Sequence, residues 1–423
     1  MSPQPIRAAR GVHDIMPADK EVWAEVESIA RAIGGAYGYR EIETPIIEPA
    51  TLIERLGAST DVVQKELFRF QDRGGDWLVL RPEATAGVVR AYFQNGLQQE
   101  TQPVRVYQIG SMFRYDRPQK GRYRQFHQFD VEAIGDESPG LDSEVIEIAW
   151  RWMAEVGLRG VSLHLNSIGD RNCRPAYLDR LLGYYRPLSD QLHSDCQRRL
   201  EDNPLRLLDC KEAQCQPFKA GAPRILDHLC SECAMAFDEV RELLREAKID
   251  FEINPFLVRG LDYYTRTVFE FVDQARGGAQ NALGGGGRYD GLAEALGWAP
   301  TPAVGFGMGL DRVVEALAAV GDEEGGNPLS GLAVLPDGSG LSGAAAEVGR
   351  KARVATPSVI DYSQRSLKAK MRSANRSGVR YVAIVNAAEA SRRVVQLKDM
   401  ETAAQVEVPW DDLGRWLMEQ PTH

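Results

Sequence analysis

Residues 104–135 limit what this chain can fold into more than any other segment. Two β-rich runs, VRVYQIGSMFRYD and RQFHQFDVEAIG, flank a loop in which Arg114, Arg117, Lys120, Arg122 and Arg124 accompany a single acid, Asp116. Short runs of apolar, β-branched and aromatic residues with turns between them read as antiparallel strands. Five cations held together at the end of such a pair repel one another unless an anion sits among them. Fixed arginines offer bidentate donors to phosphate, and Phe126 offers a flat face for a base. On charge alone, an exposed basic hairpin is the alternative.

Extended along the chain, the same reading gives short strands around a few helices, an α+β pattern. Residues 19–37 space Val22, Val26, Ile29, Ala30 and Ile33 along one helical face, opened by Pro17. YREIETPIIEP alternates and then meets Pro45 and Pro49, which suits a kinked or edge strand. Helices are predicted over 143–156 and 234–246. Strand signals return at LVRGLDYYTRTVFEFV, followed by the glycine loop LGGGGRYDGL and by strand, turn and helix in TPAVGFGMGLDRVVEAL. Residues 170–245 are helical and polar and hold all the cysteines, so they read as an insertion. GDEEGGNPLSG is a linker by composition. After it, GLAVLPD, a helix, SVIDY, a helix, VRYVAIVN and RRVVQLKD alternate as β, α, β, α, β, β. The expected organisation is a main domain over 1–325 that includes the 170–245 insertion, and a small α/β domain over 331–423.

Composition excludes several classes. The 423 residues include 50 Lys or Arg and 60 Asp or Glu, for a net charge of −10, and 43% are hydrophobic, which is ordinary for a globular chain. No apolar run is long enough to span a membrane and the first residues lack a secretory signal's apolar core, so a cytoplasmic protein without membrane association is expected. Charge is uneven. Residues 331–423 hold 13 Lys or Arg against 10 Asp or Glu, and within 350–398 twelve basic residues face only Asp361 and Glu389. Such a stretch suits a polyanion or a solvated helix face.

The usual nucleotide and hydrolase motifs, GxxxxGK[ST], HExxH, GxSxG and a GxGxxG opening a βαβ unit, are absent. Arginine in unusual places remains. FRYDRPQKGRYRQFHQFD resembles motif 2 of class II aminoacyl-tRNA synthetases, in the form carried by histidyl-tRNA synthetases. The resemblance continues through RGVHDIMP, TPIIEP, LRPEATAGVVRA, LVRGLDYYTRTVFEF, ALGGGGRYDGL and GFGMGLDR, the last of which resembles motif 3, and into the C-terminal domain.

That resemblance implies an antiparallel sheet flanked by helices, a helical insertion, a C-terminal α/β anticodon-binding domain, and a homodimer formed through motif 1 around Pro45. It implies ATP-dependent ligation of L-histidine to histidine tRNA through a histidyl-adenylate. Arg114 and Arg259 would be the catalytic residues. Arg114, Arg122, Phe126 and Arg312 would hold ATP, with Mg²⁺ bridging its outer phosphates and Glu66 and Glu132 as candidate acids nearby. Glu83, Thr85, Gln128, Glu132, Arg259, Tyr263 and Tyr264 would hold histidine, with Gly284 to Gly287, Arg288 and Tyr289 lining the pocket. Arg117, Gln119 and Lys120 would meet the acceptor end of the tRNA, and the basic 350–398 stretch its anticodon stem. Without the family, Arg259 reads equally as half of a structural ion pair. His127, a lone histidine in a strand, reads as structural.

Cys210-x4-Cys215 and Cys230-x2-Cys233, fourteen residues apart, are compatible with a structural zinc, but free thiols are the favoured reading and no catalytic metal ligand is expected. The rival reading is a catalytically inactive, synthetase-like regulatory subunit of ATP phosphoribosyltransferase that binds histidine. Such paralogues usually lack the anticodon domain and degrade the arginine and Leu-Asp-Tyr-Tyr motifs, and this chain keeps both. A plain RNA-binding module would not require these motifs in one synthetase order.

Overall fold

The computed structural model describes residues 5–57, 63, 65–119, 121–276, 281–320 and 331–420, in two compact units, Met1–Asp322 and Glu323–His423. In chain order the strands of the first unit are β1 (Arg40–Glu41), β2 (Ile47–Pro49), β3 (Arg69–Gln71), β4 (Trp77–Leu80), β5 (Val104–Phe113), β6 (Gln125–Ile134), β7 (Val161–Ser167), β8 (Phe251–Ile253), β9 (Thr265–Asp273), β10 (Ala282–Arg288) and β11 (Ala303–Gly309). Eight of them form one sheet in the order β1-β5-β6-β11-β10-β9-β7-β8. Its edge pairs β1/β5 and β7/β8 are parallel and every other pair is antiparallel. β2, β4 and β3 make a small separate sheet.

The helix Pro17–Ala36 packs against this sheet through Trp23, Val26, Ala30 and Ile33. Val22, expected on that face, is exposed, because the buried stripe is centred one position later, where Trp23 supplies the larger apolar surface. The helix Pro139–Glu155 starts with the Ser138 hydroxyl accepting from the Gly140 amide and with Pro139 at its first position. Trp152 of this helix, Phe129 of β6 and Phe306 of β11 are buried together, with ring centroids 5.3 and 5.4 Å from Phe129. Burial of each such ring contributes about 2–3 kcal/mol.

Two sequence expectations are corrected here. The helix Ser231–Glu246 does not belong to the insertion, because its Phe237, Val240 and Leu244 lie in the main core beside Pro139–Glu155. Phe237, Val240 and Leu244 at helical spacing form an apolar face, while the cysteines at its start misplaced it. Second, residues 257–264 of the predicted strand LVRGLDYYTRTVFEFV form none, and β9 begins only at Thr265. The insertion's core, including Tyr177, Leu181, Tyr185 and Leu200, packs directly on Leu257, Val258 and Tyr264, which draws this segment out of the sheet.

In the second unit, β12 (Leu332–Pro336), β13 (Ser358–Ile360), β14 (Tyr381–Val385), β15 (Val394–Asp399) and β16 (Gln405–Pro409) order as β13-β12-β14-β15-β16. Leu332 and Val334 face one apolar cluster while Ala333 and Leu335 face another. Burial on both faces is why GLAVLP is continuously apolar rather than alternating. β16 is an addition to the predicted pattern. Its Gln405-Val406-Glu407-Val408 alternates as a half-buried strand does, with Val408 in the core and Gln405, Val406 and Glu407 exposed at the sheet edge.

Candidate active site

The β5–β6 hairpin runs in register to Phe113↔Gln125, and the arginine-bearing loop continues past it. The Arg124 amide donates to the Gly11 carbonyl at 2.7 Å, and the Arg114 amide to the Arg124 carbonyl at 2.9 Å. Gly11 has φ +87, and a Cβ there would meet Pro118 and Arg124 at under 3 Å, so the RGVHDIMP arm can lie against the loop only with glycine at this place. The His13 ring lies 4.4 Å from that of Tyr123, tilted by 49°, and the Tyr123 hydroxyl donates to Glu315 at 2.7 Å. Burial and that carboxylate push the Tyr123 hydroxyl up to about 12.

Arg114, Arg122, Phe126, Gln128, Arg259 and Arg312 line one cleft of about 260 Å³, over a floor that includes Gly284, Gly307 and Gly309. The four arginines are held differently. Arg122 pairs with Asp116 and lies 3.6 Å from Glu66. Arg259 donates to Glu270 at 2.6 Å. Arg114 donates to the Pro82 carbonyl at 2.9 Å, with its guanidinium 5.2 Å from the centre of the Phe126 ring. Arg312 donates to the carbonyls of Gly121 and Ala282. Among the described residues neither Arg114 nor Arg312 has a carboxylate within ion-pair distance. Burial and then the neighbouring Arg114, Arg122 and Arg276 lower the pKa of Arg312, as expected where like charges crowd. Burial, the largest single influence, would lower Arg259 as well, but Glu270, Tyr264 and Tyr263 together outweigh it and the net shift is upward.

Glu83, Thr85, Glu132, Tyr263 and Tyr264, expected at the histidine end, do not line this cleft and are bonded mainly to one another and to their neighbours. Glu83 accepts from the amides of Thr85 and Ala86 at 2.9 Å each, and so caps the helix Thr85–Gln94. The Thr85 hydroxyl donates to Glu132 at 2.6 Å, and the Tyr289 hydroxyl donates to the other oxygen of Glu132. The Tyr263 hydroxyl lies 3.4 Å from Glu83. Gly305 on the neighbouring strand makes this possible, since a Cβ there would overlap the Glu132 carboxylate. Tyr263 and Tyr264 also line a larger cavity of about 690 Å³ with Arg171, Arg266 and Asp290. Gln128 lines the first cleft, with its side-chain oxygen buried and unpartnered among the described residues.

Burial holds three carboxyls of this region above their ordinary values: Glu83 somewhat, Asp130 and Glu132 well above. The sign for Glu132 follows. Its neutral form suits the folded protein, so its contribution to stability is complete below about pH 4.5, its ordinary value, and is lost as pH rises through the elevated one. Glu132→Gln removes this ionisation. The melting temperature of wild type relative to Glu132→Gln is expected to fall by about 2–4 °C per pH unit above 4.5 until the carboxyl ionises. A gap constant between pH 5 and pH 8 in calorimetry contradicts the assignment.

Other expected residues are placed elsewhere. Arg288 does not line the pocket: it is 1% exposed and donates to Asp142, Asp290 and the carbonyls of Asp136 and Ser138, because Asp142 on the facing helix supplies its counter-charge. Arg117 and Gln119 are exposed in the hairpin loop, and Lys120 lies outside the described residues. Of the candidate acids for Mg²⁺, Glu132 is taken up by Thr85 and Tyr289. Sequence reading missed Glu270, Asp311 and Asp130. An acid between aromatics (Phe269-Glu270-Phe271) and another inside β6 were available signals. Asp311 accepts from the His127 amide at 2.6 Å, and its second oxygen is buried without a partner among the described residues.

The cysteines do not form the group of Cys210, Cys215, Cys230 and Cys233 that their spacing suggested. Cys196, Cys210 and Cys215 converge in one place and Cys173, Cys230 and Cys233 in another, with Asp170. Cys196, Cys210 and Cys215 are buried with Tyr177, Leu181 and Tyr185 in the insertion's apolar core, and that packing is not visible in linear spacing. The basic 350–398 stretch is also less free than its count. Arg380 pairs with Asp399 and Glu401, Arg392 with Glu407, Arg393 with Glu347, and Lys351 with Asp411, all acids just outside the stretch.

The profile of the histidyl-tRNA synthetase family matches residues 11–169 and 211–313, and that of the anticodon binding domain family matches 332–420. A histidine–tRNA ligase of Desulfitobacterium hafniense (strain DSM 10664 / DCB-2) is 45% identical over 410 residues, covering 96% of each chain. One from Dehalococcoides mccartyi (strain ATCC BAA-2266 / KCTC 15142 / 195) is 44% identical over 409 residues, covering 96% of this chain and 98% of its own. The crystal structure of the apo S. aureus histidyl-tRNA synthetase superposes with a TM-score of 0.82 at 32% identity, covering 98% of this chain and all of the other.

Proposed function

The chain belongs to the histidyl-tRNA synthetase family, and from that premise we propose how its cleft carries out the family's reaction. It is a histidine–tRNA ligase, a class II aminoacyl-tRNA synthetase that joins L-histidine to histidine tRNA at the expense of ATP. The observation that carries the residue assignments is the convergence of four arginines in one cleft, two of them without an acid partner among the described residues.

In the first half-reaction a histidine carboxylate oxygen attacks the α-phosphorus of ATP, and the bond to the pyrophosphate oxygen breaks. Negative charge gathers on the non-bridging oxygens and the leaving group. Arg114 and Arg259 meet the charge at the α-phosphate, and Arg122 and Arg312 hold the outer phosphates, pre-placed so that little reorganisation is needed. Phe126 and Arg312 enclose the adenine. The carboxylates of Glu270 and Asp311 face the same cleft, and the unpartnered oxygen of Asp311 fits a hard cation that keeps several waters. Mg²⁺ brought by ATP would supply charge neutralisation there. Glu83, Thr85, Gln128, Glu132, Tyr263 and Tyr264 distinguish the α-amino group and imidazole of histidine by their hydrogen-bonding pattern.

Arg117, Gln119 and Lys120 meet the acceptor end of the tRNA. The C-terminal unit, of the anticodon binding domain family, holds the anticodon stem through the cations of its basic stretch that lack acid partners. The protein works as a cytoplasmic homodimer. Exposed Ile46, Ile47 and Trp77 on the small β2-β4-β3 sheet, next to Pro45, support a partner on that face. No helix of the described residues is long and apolar enough to cross a membrane.

Transfer of labelled histidine to a histidine tRNA transcript tests the function. The ligase charges the transcript in the presence of ATP. Histidine binding without charging under any condition supports the regulatory-subunit reading instead.

A further inference from the structure

Asp170 and Cys173, where the insertion begins, and Cys230 and Cys233, where it gives way to the helix Ser231–Glu246, are brought together with their ligating atoms all within 4.8 Å of one another. Each pair is spaced three residues apart at the start of a helix: Cys173 is the N-cap of Arg174–Tyr185, and Cys230 that of Ser231–Glu246. Both helix ends favour negative charge. We propose that these four side chains form a structural zinc site that clips the two ends of the insertion together.

The donor set is right for zinc: three soft thiolates and one carboxylate, at separations that need to contract only to about 3.5–3.8 Å to surround a tetrahedral ion. Three of the four are buried, which separates the cluster from the acidic groups common on protein surfaces. The surrounding charge also fits. Three thiolates and a carboxylate around a dication leave two negative charges, and two arginines adjoin the cluster. Arg266 lies 3.6 Å from Asp170. Arg174 donates to the carbonyls of Ile168, Gly169 and Tyr264 and, among the described residues, has no carboxylate within ion-pair distance. The other cysteine cluster, Cys196, Cys210 and Cys215, has only three donors among the described residues and does not complete a tetrahedron.

Position gives the site its role. The Ile168 amide donates to the Arg266 carbonyl and the Arg266 amide to the Gly169 carbonyl, both at 2.8 Å. A metal at the cluster therefore fixes the turn that carries Tyr264 and Arg266, and ties the exit of the insertion to its entry. Closing so long a loop removes chain entropy from the unfolded state.

The test is zinc analysis of the full-length protein, purified without chelator from zinc-supplemented cells. Wild type is expected to carry zinc, and Cys173→Ser/Cys233→Ser is expected to carry one equivalent per chain less. Zinc-free wild type that takes up none on dialysis, or a double variant with wild-type zinc content, overturns the proposal. If the double variant is insoluble, alkylation of wild type mapped to peptides decides. Labelling of Cys173, Cys230 and Cys233 that rises on adding a chelator supports the site, while labelling unchanged by chelation, or a Cys230–Cys233 disulfide, overturns it. None of these readouts depends on the catalytic assignment.

Discussion

Arg259→Ala is expected to slow histidine-dependent exchange between ATP and pyrophosphate by about 10³-fold, with the KM for ATP changed less than about tenfold. The reason lies in how Arg259 is held. Glu270 fixes one end of its guanidinium at 2.6 Å, while its Nε is buried and has no partner among the described residues. A donor kept unsatisfied in a cleft is available for charge that appears only during reaction, which affects turnover more than ground-state binding. Arg259→Lys keeps the charge but loses the planar fork, and is expected to recover only part of the rate. If the alanine variant exchanges within tenfold of wild type while folded, the Arg259–Glu270 pair is structural, and Arg114 and Arg312 carry the chemistry without it.

The second large effect concerns stability. Arg288→Ala is expected to destabilise the first unit by about 3–5 kcal/mol, because it strands Asp142 in a site where both partners are 1–2% exposed. Burial raises the Asp142 carboxyl even with Arg288 present, so part of the cost is relieved at low pH, where the stranded carboxyl protonates. The pair joins β10 to the start of the helix Pro139–Glu155, and the remaining guanidinium hydrogens satisfy the carbonyls of Asp136 and Ser138. Replacing both charges, as in Arg288→Met/Asp142→Leu, is expected to recover most of the loss, since well-packed apolar pairs match buried ion pairs in many proteins. Urea midpoints of the two variants decide the matter. A single variant costing under about 1 kcal/mol contradicts a buried, uncompensated Asp142.

What was legible in the sequence follows a physical division. The hairpin and its arginines stand out because cations are rare beside apolar strands, and the two-faced sheet of the C-terminal unit because GLAVLP and YVAIV have no polar alternation. Partnerships set across non-adjacent elements left little trace. The Thr85–Glu132–Tyr289 network joins a helix end, β6 and the end of β10. Arg288 appeared to belong to the glycine-lined pocket until the facing helix supplied Asp142. The cysteines were paired by spacing, although helix packing regroups them. In the same way, the strand signal of residues 257–264 came from apolar side chains that the insertion covers rather than the sheet.

The most direct test of the central claim, that this cleft activates histidine, is ATP–pyrophosphate exchange by the wild-type protein with each of the twenty amino acids in turn. Exchange with histidine alone is the predicted result. Absence of exchange with every amino acid, in a preparation that binds histidine, contradicts it and leaves a binding protein in place of a ligase.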